Sequence, residues 1–480
     1  MTSLPHDLTV MMPELVMAGA GLLLLLVGVL QKNDRSMGML SFLAIVAMAG
    51  SAFCVVMQPT DASAFGGAFV ADGFAKFSKL LILLGAALTL IMSLGFFVRE
   101  KIARFEFPVL VTFSVLGMML MVSASSFLAL YMGLELQSLA LYVLAAFNRE
   151  SVRSSEAGLK YFVLGALSSG LLLYGISLIY GFTGTTDFGH VAAVIRQSGA
   201  PIGLIFGLVF LIAGLAFKVA AVPFHMWTPD VYEGSPTPIT AFFAMSPKIA
   251  AMALFLRAVI VPFPDAVHQW QQIIIVASVL SMLLGAFAAI GQTNIKRLMA
   301  YSSIGHMGYA LLGLAAGTVA GVQGVLIYLV IYLVTNAGVF SCILAMKRNG
   351  QMVESIGDLA GLAREQPRLA MAFAFFMISL SGIPPFAGFF AKFYVFLPAI
   401  QAGLYVPAII GVIASVIGAY YYWRIFKVMY FDDPLSPFDS DLGISLGSII
   451  AASTAFTLLF IVAGAPLIAV AETAAKSLVP

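Results

Sequence analysis

Charged side chains are scarce in this sequence. Its 480 residues include 24 Lys and Arg and 22 Asp and Glu, so that 10% are charged, whereas a soluble protein has about 25%. The net charge is only +2, and apolar residues make up 61%. This composition excludes a soluble multidomain enzyme, a disordered chain and a nucleic-acid-binding protein. Since one membrane-spanning helix needs about 20 apolar residues, the sequence predicts a polytopic membrane protein.

Cysteine is also nearly absent, and so are nucleotide-binding motifs. The two cysteines, Cys54 and Cys342, lie in separate apolar runs and are interpreted as free thiols in helices. No group of cysteines has the spacing of an iron–sulfur or zinc site. The sequence contains no P-loop and no GxGxxG turn after a strand pattern. We therefore expect this chain to bind no cofactor and no metal.

Apolar runs between polar breaks predict an all-α polytopic membrane protein with about fourteen transmembrane helices. No basic residue precedes the first run, which is therefore interpreted as a retained span rather than a signal peptide. One run is too long for a straight crossing and contains Pro384-Pro385, which indicates a helix broken within the membrane. The predicted spans lie near 13–30, 37–57, 76–98, 108–122, 126–147, 157–181, 201–225, 237–262, 271–291, 297–316, 321–346, 367–399, 404–430 and 445–470.

Basic residues divide unequally between the two sides of the predicted membrane. Fifteen Lys and Arg lie in alternate loops, beginning with Lys32 and Arg35, whereas the opposite loops and the termini hold only two. By the positive-inside rule, the basic loops face the cytoplasm and both termini face the periplasm. Three more basic residues stand at span ends, where we expect them to extend to the interface: Lys76, Lys79 and Arg257.

An internal repeat is indicated by two segments with the same order of features. Residues 188–195 and 356–363 both have apolar side chains at the spacing of one face of a short amphipathic helix. Each segment precedes an apolar run that holds a proline break and a lysine, and these serve as matching landmarks: Pro223 with Lys218, and Pro384-Pro385 with Lys392. The two segments fall on opposite sides of the membrane. We therefore predict two inverted five-helix repeats, each containing a discontinuous helix.

The predicted organisation has four parts. A three-helix segment precedes the first five-helix repeat, and a single helix follows the second repeat. The boundaries are 1–107, 108–262, 263–430 and 431–480.

A few ionisable residues fall well inside the predicted spans. A charge at the centre of a bilayer costs about 2.5–3.5 kcal/mol, so such residues are paired, hydrated or functional. A buried lysine with a movable acidic partner can change between charged and neutral forms, as a proton relay requires. We expect Glu135 to face Lys218 as a modulating pair. The main candidates are Glu135, Lys218, Lys248 and Lys392. Three further candidates are Lys160, His306 and His225, and for these a structural role, in an ion pair or at the membrane interface, is the alternative.

Three stretches carry a family resemblance. Residues 217–238 read FKVAAVPFHMWTPDVYEGSPTP and precede Lys248, residues 302–309 read SSIGHMGY, and residues 379–392 read SLSGIPPFAGFFAK. Together they resemble antiporter-like membrane subunits of proton-pumping NADH:quinone oxidoreductase (respiratory complex I) and of multisubunit cation/proton antiporters. Residues 133–142 are similar to the glutamate-bearing helix of the subunit N branch of that family.

The resemblance covers nearly the whole chain and has three implications. First, Glu135, Lys218, Lys248 and Lys392 take the family's proton-path roles, with Lys160 and His306 as contributors. Second, NADH, FMN, iron–sulfur clusters and quinone lie on partner subunits, and the partners are other membrane and peripheral subunits, adjacent antiporter-like subunits and lipids. Third, the chain resides in the bacterial inner membrane.

Two other functions stay open at this point. The same buried charges would serve a subunit of a sodium/proton antiporter. A haem- or quinone-bearing redox subunit is the other class, but only His225 and His306 lie near apolar spans, too few for a pair of bis-histidine haems.

Overall fold

The computed structural model is almost entirely helical. It describes residues 4–31, 36–348, 350–434, 437–439 and 442–479. The loop residues Lys32 and Arg35 of the charge count lie outside this part of the chain.

Within the described ranges, fourteen helical units have the length of a membrane crossing. Eleven are long and apolar enough by themselves. The other three are Glu106–Val122, Ile295–Ala315, and the consecutive helices Pro367–Ser381 and Ala387–Gln401, which form one broken crossing. The predicted all-α polytopic membrane fold is therefore confirmed.

The first three crossings precede the repeats, and a small hairpin joins the second crossing to the third. Strand β1 (Ala62–Ala64) pairs antiparallel with β2 (Phe69–Ala71). The helices are α1 (Leu4–Val10), α2 (Met12–Gln31), α3 (Ser36–Met57) and α4 (Gly73–Arg99).

Asp72 ends this hairpin and caps α4. Its carboxylate accepts a hydrogen bond from the backbone N–H of Ala75 and pairs with Arg257 at 2.7 Å. Burial by itself would raise the pKa of Asp72, but the Arg257 guanidinium outweighs that effect and lowers it. One carboxylate thus fixes the start of α4 and joins it to a distant helix.

The next five crossings contain the first broken helix. Phe188, Val191 and Ile195 form the buried face of α8, as the amphipathic pattern predicted. The helices are α5 (Glu106–Val122), α6 (Phe127–Ala145), α7 (Val152–Thr183), α8 (Phe188–Ser198), α9 (Ile202–Val219), α10 (Trp227–Gly234), α11 (Thr237–Ala244) and α12 (Ser246–Ile260).

Five more crossings follow, and then the C-terminal helices. Strands β3 (Lys347–Arg348) and β4 (Gln351–Met352) form a second hairpin between two of these crossings. The helices are α13 (Val267–Ile290), α14 (Ile295–Ala315), α15 (Val319–Ala345), α16 (Leu362–Glu365), α17 (Pro367–Ser381), α18 (Ala387–Gln401), α19 (Tyr405–Phe431), α20 (Ile444–Ala463) and α21 (Ala465–Lys476).

Residues 356–363 do not form the predicted amphipathic helix. The chain makes a 3-10 turn at Gly357–Leu359 and begins the four-residue α16 only at Leu362. Gly361 separates the two with a left-handed backbone, φ +77°, and packs so closely on Pro434 that a Cβ would lie 2.5 Å from its Cβ. This part of the sequence prediction is wrong, because periodicity does not register a glycine that interrupts the helix.

The two groups of five crossings are related by inversion. Helix α5 packs against α6 and α7 against α9, just as α13 packs against α14 and α15 against α17. Because five is odd, the second group starts on the opposite side of the membrane from the first. The predicted pair of inverted repeats, each with a discontinuous helix, is confirmed.

Close approach of small residues recurs in both repeats. A Cβ on Gly117 of α5 would lie 2.5 Å from the backbone N of Gln137 in α6. A Cβ on Gly285 of α13 would likewise lie 2.6 Å from the backbone N of Gly305 in α14. Glycine lets the helix backbones touch at these crossings, where dispersion replaces the hydrophobic effect as the main attraction.

The two broken helices end in the same backbone conformation. Helix α9 stops before Ala220 and α17 before Gly382, and these residues have left-handed φ values of +59° and +86°. In both cases the next N–H bonds a carbonyl five residues back, which closes the helix. A cis peptide bond precedes Pro223 and Pro385. Both pairs of positions are 162 residues apart (220 to 382, 223 to 385).

Lys218 and Lys392 do not occupy matching positions around these breaks. Lys218 lies in α9, before its break, whereas Lys392 lies in α18, after its break. At the offset of 162 residues, Lys392 corresponds to Asp230. The use of the two lysines as one repeated landmark is therefore wrong, because each run holds one lysine but at a different distance from its proline.

Lys79 and Arg257 do not extend to the interface as predicted. Lys79 and Glu14 form a 2.7 Å ion pair in which both side chains are fully buried, between α4 and α2. Arg257 is buried against Asp72. Both residues stand near span ends in the sequence, but Glu14 of α2 pairs with Lys79, and α12 packs on α4 and carries Arg257 to Asp72.

We expect Glu14→Gln to destabilise the protein by about 3–5 kcal/mol, because it leaves the Lys79 ammonium buried without a counter-charge. The double variant Glu14→Met with Lys79→Met should recover most of that loss. Thermal denaturation in detergent, followed by circular dichroism, measures both effects. The control is Glu472→Gln, which removes an exposed pair with Lys476 and should matter little. A Glu14→Gln variant as stable as its parent would contradict the prediction.

Candidate functional site

Lys218 lies in the last turn of α9 and points at α6. It is 8% exposed, and its Nζ donates to Ser138 Oγ at 2.7 Å and to Tyr142 OH at 3.5 Å. The negative end of the helix dipole at the end of α9 favours a cation here. Both partners are hydroxyls, which can donate as well as accept.

Glu135 does not contact Lys218 directly. Its spacing from Ser138 and Tyr142 puts all three side chains on one face of α6, with Glu135 one turn before the serine. Among the described residues, Lys218 forms no ion pair with it, and the buried Oε1 of Glu135 accepts no hydrogen bond. The expected pair is therefore two charges on neighbouring helices, α6 and α9, not a bonded pair.

Lys248 lies at the first helix break. It is 1% exposed, and its Nζ donates to the carbonyl of Val219, the last residue of α9, at 3.0 Å. The same ammonium stands 5.0 Å from the centre of the Trp227 ring. Trp227 in turn donates its indole N–H to the carbonyl of Phe217. Lys248 thus supplies a donor to a carbonyl freed by the end of α9, and Trp227 adds a second donor to the Phe217 carbonyl, which also accepts from the backbone N–H of Ala220.

Lys392 occupies the second break in a similar way. Its Nζ donates to the carbonyl of Ser381, the last residue of α17, at 2.8 Å, and to Ser415 Oγ at 2.6 Å. A Cβ at Gly382 would lie 2.7 Å from Cδ of this lysine. Only glycine therefore leaves room for the ammonium at this helix end.

His306 lies midway along α14 and is enclosed by tyrosines. Its Nδ1 bonds the hydroxyl of Tyr328 on α15, and its Nε2 bonds that of Tyr422 on α19 at 3.1 Å. Tyr422 also bonds Ser302 at 2.6 Å. The imidazole thus joins hydroxyls from two neighbouring helices, α15 and α19.

A small cavity connects His306 with Lys392. Its volume is about 10 Å³, roughly the room that one water molecule needs. Both residues line it, together with Tyr309 and Ser415. A proton-bearing network therefore extends from α14 to the second break.

The region between Lys248 and His306 is also polar. Tyr332 donates to Ser303 Oγ at 2.9 Å, one turn from His306. Tyr232 of α10 is fully buried, and its hydroxyl lies near Ser303. Buried hydroxyls thus occupy the space between the two breaks.

Lys160 lies in a charged network at the side of the basic loops. It pairs with Glu156 at 2.7 Å and with Asp230 at 2.8 Å, and its side chain is 42% exposed. Asp230 also accepts from Arg297 at 2.7 Å. This network joins α7, α10 and α14 and corresponds to the ion-pair alternative for Lys160. His225 is half-buried in the irregular segment between α9 and α10.

The arrangement can hold and pass protons but has no metal centre. Within the described residues, no cluster of His, Cys, Asp and Glu could hold a metal ion. Buried ammonium, imidazole and hydroxyl groups follow one another from α6 to α18, and each can donate or accept hydrogen bonds.

The candidate set drawn from the sequence did not include the tyrosines and serines of this site. The tyrosines around His306 are buried. One signal was available, since Ser302, Ser303 and Tyr309 share a helix with His306. Ser138 and Tyr142 could have been found by their spacing from Glu135.

Comparison with known proteins identifies the family. A family model described as NADH:quinone oxidoreductase/Mrp antiporter, TM, matches residues 124–418. The chain is 59% identical over 470 residues to NADH-quinone oxidoreductase subunit N of Parvibaculum lavamentivorans, covering 98% of this chain and 97% of that protein. It is 56% identical to subunit N of Rhodospirillum rubrum, covering 97% and 96%.

Solved structures agree with this result. A chain of respiratory complex I from Thermus thermophilus with bound aureothin matches with a TM-score of 0.82 at 32% identity, covering 96% of this chain and 99% of that one. A chain of the Mrp complex from Dietzia sp. matches with a TM-score of 0.84 at 22% identity, covering 99% and 98%, which shows a shared fold. The chain therefore belongs to the NADH-quinone oxidoreductase subunit N family and is a membrane subunit of an enzyme complex.

Proposed function

We propose that this chain translocates protons across the bacterial inner membrane as part of NADH:quinone oxidoreductase. The transfer is driven by NADH oxidation and quinone reduction in other subunits. The observation that carries the proposal is the buried row of lysines at the two helix breaks, linked by the hydroxyls and the imidazole around His306. A fold retains such groups at mid-membrane depth only if they are satisfied or functional.

The proposed path begins at Glu135 and Lys218 and continues through Lys248 to His306 and Lys392. At Lys218, both hydroxyls accept from the ammonium, but Ser138 donates its own proton to the Leu134 carbonyl. Tyr142 is therefore the partner that can donate to the neutral amine when the proton leaves. The charge on Glu135 favours the ammonium. Removing that charge, or offsetting it from a neighbouring subunit, would release the proton toward Lys248.

Lys160 and His225 are proposed at the entrance to this path. Support for Lys160 comes from its position at the basic-loop side, where Asp230 connects it to Arg297. His225 lies in the irregular segment beside the first break. Both residues could exchange protons with water and with the buried lysines. Lys160 would keep its ion pairs with Glu156 and Asp230 as well.

The orientation and the division into parts belong to the same proposal. The fifteen basic loop residues favour a cytoplasmic side for those loops and periplasmic termini. We further propose the four-part division at 107/108, 262/263 and 430/431. NADH, FMN, iron–sulfur clusters and quinone would lie on partner subunits, and adjacent antiporter-like subunits would pack beside this chain.

The second candidate function is cation/proton exchange, which the Mrp-like fold supports. Proteoliposomes that contain only this chain and a sodium gradient separate the two. Robust sodium/proton exchange without partner subunits would overturn the complex I proposal, whereas no exchange is expected.

Lys218→Ala should permit assembly but lower proton pumping coupled to quinone reduction about 100-fold, the usual effect of losing a positioned proton-transfer group. Dye quenching in inverted vesicles measures the pumping. Lys427→Ala is the control, because this exposed lysine pairs only with Asp432 among the described residues. Unchanged pumping in an assembled Lys218→Ala complex would contradict the proposal.

Glu135→Gln should reduce pumping as much as Glu135→Ala, roughly tenfold, an effect of about 1.4 kcal/mol. The buried oxygen of Glu135 holds no hydrogen bond with a described residue, so its proposed role depends on charge. Parallel assays of both variants, with Glu100→Gln as an exposed control, measure the difference. Recovery of pumping by glutamine would show that position, not charge, matters.

A further inference from the structure

A groove between α5, α6 and α7 is separate from the proton path proposed above. Its volume is about 530 Å³, within the range of ligand pockets. The walls are apolar, formed chiefly by Leu110, Val143, Phe147 and Phe162. Val143 and Phe162 are 51% and 49% exposed, so the groove opens sideways from the helix bundle.

The mouth of this groove is polar and lies at the side of the basic loops. Arg104 and Arg149 are both exposed there, and neither guanidinium has a hydrogen bond or ion pair with a described residue. The hydroxyl-bearing Ser155 stands beside them, and Glu106 reduces the local charge to +1. Two free guanidinium groups and a hydroxyl are suited to one phosphate.

We propose that an anionic phospholipid binds this groove, with its phosphate between Arg104 and Arg149 and one acyl chain along Val143 and Phe162. The two arginines favour an anionic headgroup. The sideways opening onto half-exposed apolar residues suits an acyl chain. A basic pocket between membrane helices at the basic-loop side is the general form of such a site.

The inner end of the groove connects it to the helix that carries Glu135. Tyr142 lines the groove and also accepts a hydrogen bond from Lys218. Gly158 and Ala146 close the floor, because a Cβ on Gly158 would lie 2.5 Å from Cβ of Ala146. The acyl chain would therefore stop against packed helices and keep water from Tyr142.

Photo-crosslinking of the assembled complex in nanodiscs tests the binding. The probes are phosphatidylglycerol and phosphatidylcholine, each with a diazirine on an acyl chain, and mass spectrometry identifies the labelled peptides. We expect phosphatidylglycerol to label the peptides that contain Val143 and Phe162 well above phosphatidylcholine. Since each basic residue near a membrane surface contributes about a fivefold gain, Arg104→Gln with Arg149→Gln should lower that labelling about thirtyfold.

Two further variants separate charge at this site from general effects. Arg104→Lys with Arg149→Lys keeps the charge and should keep most of the labelling. Arg364→Gln with Arg368→Gln removes two other arginines from the basic-loop side and should leave it unchanged. Equal labelling by both lipids, labelling that ignores the Arg104 and Arg149 changes, or no labelling because a protein subunit covers the groove would each overturn the proposal. None of these outcomes depends on proton pumping.

Discussion

A helix that ends inside a membrane leaves backbone carbonyls without partners, and this structure contains two such ends. Each unsatisfied group in hydrocarbon costs several kcal/mol, so a broken helix requires donors from elsewhere. Lys248 supplies one to Val219 at the end of α9, and Lys392 supplies one to Ser381 at the end of α17. The buried cations and the broken helices therefore stabilise each other.

This mutual requirement accounts for the surrounding packing. Trp227 and Ser415 add further donors near the two breaks, and Gly382 provides the space that Lys392 needs. The helix that carries Lys248 and the helix that covers His306 are well enclosed. Buried residues make up 100% of the central apolar stretch of Thr237–Ile260 and 94% of that of Val319–Ala345, against 33% for the first crossing. Exclusion of water from the centre makes each hydrogen bond stronger and each unpaired group costlier.

The sequence was sufficient for the architecture because apolar run length and loop charge report directly on membrane crossings. It was also sufficient to identify Lys218, Lys248, Lys392 and His306 as buried. It failed where the answer depended on which helices meet. Lys79 looked interfacial until α2 brought Glu14 against it, and nothing in the spacing of either residue indicates the other.

The hydrogen-bond partners of the lysines also distinguish their chemistry. A carbonyl oxygen only accepts, so Lys248 finds at Val219 a partner that suits N–H donors and offers nothing to an amine lone pair. Hydroxyls do both, but Ser138 beside Lys218 and Ser415 beside Lys392 already donate their protons to backbone carbonyls. Tyr142, the second hydroxyl at Lys218, can still donate to a neutral amine. Loss of a proton is therefore accommodated best at Lys218. The inverted repeats are thus alike in backbone yet differ in the partners of their lysines. In the first repeat, Lys248 bonds the carbonyl at the break and Lys218 bonds two hydroxyls, whereas in the second Lys392 bonds both a carbonyl and a hydroxyl.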